Sequence, residues 1–168
     1  MHSIGWRASL LLLTLVGTVV FAEPSLAYNT VVTVSLWDKG TDAPMATNMG
    51  MGMNMGATTM SKAGMGVKTS LSSVKAGKVT FKVTNTSKDT IHEMIVAPID
   101  KGETQLPYIK DEERINEDGA RDLGEVSELE PGQSGTLTLT LKPGKYALLC
   151  NVPGHYANGM WTTLTVIK

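Results

Sequence analysis

From Thr136 to Leu141 the chain alternates threonine and leucine without a break. A period of two sends successive side chains to opposite faces of an extended strand, which a helix cannot do. The rhythm recurs. Thr30 to Trp37 alternates around Val32, Val34 and Leu36, and Lys78 to Asn85 sets Val79, Phe81 and Val83 against Thr80, Lys82 and Thr84. Ile91 to Ala97 is apolar and rich in β-branched residues, and Lys145 to Cys150 and Trp161 to Ile167 complete the set. Turn residues stand between these runs: Lys75-Ala76-Gly77, Asn85-Thr86-Ser87, Pro131-Gly132 and Pro143-Gly144. Short strands punctuated in this way predict an all-β chain folded as an antiparallel sandwich or barrel. One side of each strand then faces a core between two sheets. A chain of 168 residues leaves room for one such domain.

Two stretches break the rhythm. Ala43 to Gly66 holds Met45, Met49, Met51, Met53, Met55, Met60 and Met65, with five glycines, no aromatic residue and one charge, Lys62. That composition builds little core and predicts a long, flexible loop over residues 43–66. Asp100 to Glu130 holds eleven acidic and four basic residues. It predicts an insert over 100–130 with a strongly negative solvent face and a short helix from Tyr108 to Glu117.

The N-terminus reads as a leader. Arg7 gives a positive end, Ser9 to Phe21 forms an apolar run, and Ser25 and Ala27 are small residues placed for a signal peptidase. That order predicts a secretory signal peptide over residues 1–27, with Ala22 as a second cleavage point. The apolar run is short for a membrane span of about 20 residues; an uncleaved anchor is the alternative. Residues 28–168 are then an exported domain, expected in the periplasm. No later segment predicts a membrane span. A net charge of −1 gives no electrostatic basis for binding nucleic acid.

The chain has one cysteine, Cys150, and three histidines, of which His2 lies in the leader. A lone cysteine in an exported protein cannot pair within its chain, so it is an intermolecular partner, a free thiol or a metal ligand. The run from Cys150 to Met160 places Cys150, His155 and Met160 at C-x4-H-x4-M spacing between two predicted strands, and His92 begins an upstream apolar strand. Two imidazoles and a thiolate with a weak axial thioether make a trigonal blue-copper arrangement. Soft sulfur suits copper(I) and imidazole suits copper(II), so a mixed set needs little reorganisation when an electron moves. Pro153, Gly154 and Gly159 let a short loop fold back and bring three ligands to one point. Read singly, each residue has a plainer role: Cys150 as a core thiol, His92 as a hydrogen-bonded core histidine, His155 as an exposed loop residue, Met160 as core packing. Met94 reads as core, and Tyr156 and Trp161 as packing that shields the site.

With these residues the chain resembles the cupredoxins, in the ligand order histidine, long gap, cysteine, histidine, methionine. The C-x4-H-x4-M loop is similar to that of rusticyanin, auracyanin and sulfocyanin. The resemblance covers roughly residues 67–168, with Thr30 to Trp37 as a first strand. It implies an eight-stranded Greek-key, two-sheet β-sandwich with one type 1 copper under one end. It further implies coordination by His92 and His155 through Nδ1, a short bond to Cys150 and an axial Met160. Where many cupredoxins carry asparagine or serine after the first histidine, this chain has Glu93. The usual tie between the two ligand loops is therefore in question, and Asn151 stands as a backbone donor to the sulfur.

Two functions fit. The first is a one-electron carrier, with the electron leaving near His155 and the acidic stretch available to a positively charged redox partner. The second is copper tolerance, storage or delivery in exchange with a copper-trafficking protein. There the seven loop methionines, Met45 to Met65, act as soft copper(I) ligands. Enzymes with several copper centres need more histidines than this chain has. A cysteine hydrolase on Cys150 and His92 would want the thiol at a helix N-terminus rather than at a strand end. Methionine is a poor zinc ligand. The chain is therefore not expected to be an enzyme.

Overall fold

A computed structural model describes residues 29–40, 64–103 and 105–168. The leader with its cleavage points, and Met45, Met49, Met51, Met53, Met55 and Met60, lie outside the described residues. Among those described, the strands are β1 (Asn29–Asp38), β2 (Met65–Thr69), β3 (Ser73–Lys75), β4 (Gly77–Asn85), β5 (His92–Ile99), β6 (Tyr108–Ile109), β7 (Arg114–Ile115), β8 (Glu125–Leu129), β9 (Ser134–Leu141), β10 (Gly144–Leu149) and β11 (Trp161–Ile167). One four-residue helix, α1 (Glu117–Ala120), precedes β8.

The strands form a two-sheet β-sandwich. One sheet has four strands in the order β2-β1-β4-β9, the other five in the order β3-β11-β10-β5-β8, and β6 and β7 make a small ribbon. Most neighbouring strands pair antiparallel, as expected, and two pairs are parallel. β1 pairs parallel with β4, and β3 parallel with β11. A parallel pair needs a crossover rather than a tight turn, and β2 and β3 stand between β1 and β4 in the chain. The chain passes from the first sheet to the second between β2 and β3, so one edge of the sandwich is counted as two short strands.

The alternating positions meet between the sheets. Val32, Val34 and Leu36 of β1, Val79, Phe81 and Val83 of β4, and Leu141 of β9 pack with Met94, Val96, Leu148 and Leu164 from the other sheet. Strands β5 and β10 are apolar on both faces, which is why Ile91 to Ala97 shows no clean alternation. Their outer residues Ile95, Ala97 and Leu149 form a second cluster with Leu106, Ile115, Ala120, Tyr156 and Trp161.

The acidic insert is the cover for that outer face. The helix expected from Tyr108 to Glu117 is replaced by β6, one 3-10 turn at Lys110–Glu112, β7 and α1. A longer helix fails because Glu113 and Arg121 take left-handed backbone angles, φ 54° and 55°. The Met-rich loop also ends earlier than expected. Met65 and Gly66 belong to β2, where Met65 is 8% exposed and packs in the main core. Gly66 lies under the indole of Trp37, which a Cβ would approach to 2.9 Å. Met65 is thus a core residue instead of a mobile copper(I) ligand.

Candidate metal centre

The candidate ligands converge because two strands end at the same place. β5 starts at His92, β10 ends at Leu149 just before Cys150, and Leu149 faces Ile95 across their antiparallel ladder. The chain then makes a tight excursion before β11 returns at Trp161, which pairs with Leu149. Hydrogen bonds close that excursion. Met160 N–H donates to the His155 carbonyl and Cys150 N–H to the Met160 carbonyl, both at 3.0 Å. Asn158 bonds the Gly154 carbonyl through its backbone N–H at 3.0 Å and its side-chain amide at 2.8 Å. Gly154 and Gly159 take φ of 81° and 90°, angles that residues with a Cβ rarely adopt.

His92, Cys150 and His155 present ligand atoms that all lie within 4.8 Å of one another. Nδ1 of His92 is 3.3 Å from Nδ1 of His155, and the Cys150 Sγ is 3.3 Å from Nδ1 of His155 and 3.9 Å from Nδ1 of His92. An ion bound at about 2.0 Å to nitrogen and 2.3 Å to sulfur separates its donors by roughly 3.2–3.8 Å, so the three atoms fit around one ion. Met160 is fully buried in the same core cluster as Cys150, and its backbone is bonded to both Cys150 and His155. His92 is 0% and His155 7% exposed, so both are buried and His155 is the less deeply buried of the two.

Burial sets the protonation of the donors. It pushes the Cys150 thiol up to about 12, against the pull of N–H groups from Glu93 and Val152. It holds His155 down to about 4, helped by the neighbouring His92. It lowers His92 as well, opposed by Asp38. At neutral pH both imidazoles are therefore uncharged, and of the three donors only the thiol must lose a proton to bind an ion. Loading with copper(II) at pH 7 is expected to release about one proton per ion, as thiolate ligation requires. Titration in weakly buffered solution checks this; release of no proton would contradict thiolate ligation.

Two residues that the motif did not single out complete the site. Asp38, at the end of β1, accepts from Nε2 of His92 at 2.9 Å and from Gly40 N–H at 2.8 Å. The Glu93 carboxyl answers the question raised by its position. Burial raises it to about 7, and Glu125 and Glu117 add to this, while Arg114 and a hydrogen bond from the Asn151 N–H oppose them. Glu93 thereby ties the His92 strand to the Cys150 loop itself. The Asn151 N–H is spent on that tie rather than on the sulfur, so the expected donor is corrected. Glu93 N–H approaches the Cys150 Sγ at 3.5 Å, and Val152 N–H is the other donor.

Asn151 also fastens the acidic insert to the ligand loop. Its buried side chain accepts from Ile115 N–H at 2.6 Å and donates to the Ile115 carbonyl at 3.1 Å and to the Glu117 carboxylate at 2.8 Å. Gly154 N–H donates to the Glu113 carbonyl at 2.8 Å.

Comparisons with known proteins give the family and the fold. The family model for copper-binding proteins of the plastocyanin/azurin family matches residues 53–167. Reduced rusticyanin is similar in structure, with a TM-score of 0.52 at 17% identity over 83% of this chain and 79% of that one. Rusticyanin from Thiobacillus ferrooxidans gives 0.52 at 16% identity, covering 83% and 77%. Dithionite-reduced auracyanin from Roseiflexus castenholzii gives 0.46 at 24% identity, covering 60% and 87%. A search of curated protein sequences gave no match.

Proposed function

Since the chain belongs to the plastocyanin/azurin family of copper-binding proteins, we propose that it carries single electrons on one type 1 copper. In this reading His92, Cys150 and His155 are the strong ligands and Met160 is the axial one. The observation that carries it is the buried triangle of two Nδ1 atoms and one Sγ, at ion-sized separations. Bound copper would supply the one-electron couple. The chain's own part is to hold the donors still in both oxidation states. Hydrogen bonds close the loop from Cys150 to Met160, Glu93 links that loop to the His92 strand, and the insert braces it from outside. The side of the site at His155, the less deeply buried of the two imidazoles, is the route to a redox partner.

Export through the leader to the periplasm, and a non-enzymatic role, belong to the same proposal. No helix among the described residues is long and apolar enough to cross a membrane. Voltammetry of the copper-loaded protein tests the carrier role. A reversible one-electron wave with copper retained through repeated cycles is expected, and copper lost on reduction would contradict it.

A second reading, copper handling, is favoured by where the Met-rich segment is attached. Asp38, which bonds His92, pairs with Met65 in the β1–β2 ladder, and Lys39 N–H donates to the Gly64 carbonyl at 2.8 Å. The described residues on either side of that segment, Lys39 and Gly64, therefore lie next to the strand end that carries Asp38. Deleting residues 43–63, which spares β2, is expected to keep the copper(II) site and lower the copper(I) bound per chain. An unchanged copper(I) stoichiometry would remove this reading.

A further inference from the structure

We propose, resting on the copper reading above, that Asp38 is the positioning residue of His92. Its carboxylate fixes the imidazole as the Nε2–H tautomer and keeps a negative charge behind the ligand, which favours copper(II) over copper(I).

The placement follows from the strand. β1 turns Val32, Val34 and Leu36 inward, and the next position of the same period is Asp38. Its side chain is 4% exposed, and a carboxylate so placed is costly unless its oxygens are satisfied. Gly40 N–H and Nε2 of His92 satisfy them, one on each oxygen. The backbone at Asp38 is fixed too, by the pairing with Met65.

Two consequences follow for His92. A fixed acceptor at Nε2 requires the ring proton there, so Nδ1 keeps its lone pair on the side of Cys150 and His155. A ring flip about χ2 would break the bond, so Asp38 holds the orientation as well as the tautomer. A carboxylate on the far nitrogen also raises the basicity of a ligating histidine. A fixed negative charge in a dry site attracts a doubly charged ion more than a singly charged one. The oxidised state gains more than the reduced state.

Asp38→Asn separates this role from a merely structural one, because it keeps the shape and an acceptor oxygen but removes the charge. In the copper-loaded variant the equilibrium between copper(II) and copper(I) is expected to move roughly tenfold or more towards copper(I), about 59 mV per tenfold for one electron. Affinity for copper(II) should fall about 10- to 100-fold, with a much smaller change for copper(I). In copper-free protein, imidazole nitrogen shifts should report Nε2–H at His92 in the wild type and a tautomer mixture in Asp38→Leu. An unchanged potential in an Asp38→Asn protein that keeps its thiolate band would overturn the electrostatic role. A proton on Nδ1 of His92 in the copper-free wild type would overturn the positioning role. A wild type without a thiolate band would defeat the copper reading and the redox effect together, while the tautomer measurement still decides the positioning.

Discussion

Cys150→Ser is expected to abolish the visible thiolate band of the copper-loaded protein and to leave the sandwich folded. The colour of a type 1 site comes from charge transfer between thiolate and copper(II), and a serine oxygen cannot supply it. Serine also removes the soft donor that suits copper(I). The fold should tolerate the change. Cys150 is fully buried, but both imidazole Nδ1 atoms lie within 3.9 Å of its sulfur, so the new hydroxyl has partners close by. The net cost should be about 1 kcal/mol, the scale of one altered buried hydrogen bond. Absorption and circular dichroism of the same sample check both halves. A variant that stays blue would refute the ligand assignment, and one that unfolds would show that the thiol is mainly a core residue.

Asn151→Ala should have the largest effect on stability outside the main core. The change strips partners from the N–H and carbonyl of Ile115, a residue 2% exposed, and from the Glu117 carboxylate. Each buried polar group left unmet costs about 1–3 kcal/mol, so a loss of roughly 2–5 kcal/mol is expected in denaturant unfolding. Amide exchange at Ile115 should accelerate as the insert loosens. The thiolate band should remain, since the backbone N–H of Asn151, which serves Glu93, is not altered by the substitution. A loss below about 0.5 kcal/mol, the range of ordinary surface changes, would mean that the insert does not brace the loop.

The strands that alternate cleanly were legible in the chain because a period of two is a local signal. β1, β4 and β9 lie within a residue or two of their expected ends. β2 was hidden by the glycine and methionine around it, and its Gly66 has a tertiary cause, the overlying Trp37 ring. β8 was hidden by Glu125 and Glu128, charges that suit an edge strand. The parallel pairing of β1 with β4 has no local signature at all. In the insert, the count of carboxylates masked the apolar residues Leu106, Ile115 and Ala120 that dock it on the second sheet.

The metal centre was readable because its residue types are scarce. With one cysteine and two histidines beyond the leader, the spacing left little choice of donors. Asp38 was missed, although its signal was present: a carboxylate on the inward register of Val32, Val34 and Leu36 must find a buried partner. The exchange of roles between Glu93 and Asn151 was out of reach, because it depends on which N–H groups the folded loop turns towards the sulfur.

The most direct measurement is a visible spectrum of the protein loaded with copper(II) and titrated with ascorbate, with copper counted in the same sample. An intense blue or green band that bleaches on reduction, at one copper per chain in the type 1 site, is the predicted result. Absence of any thiolate band would mean that Cys150 does not hold copper(II), and would contradict the assignment of His92, Cys150, His155 and Met160 as its ligands.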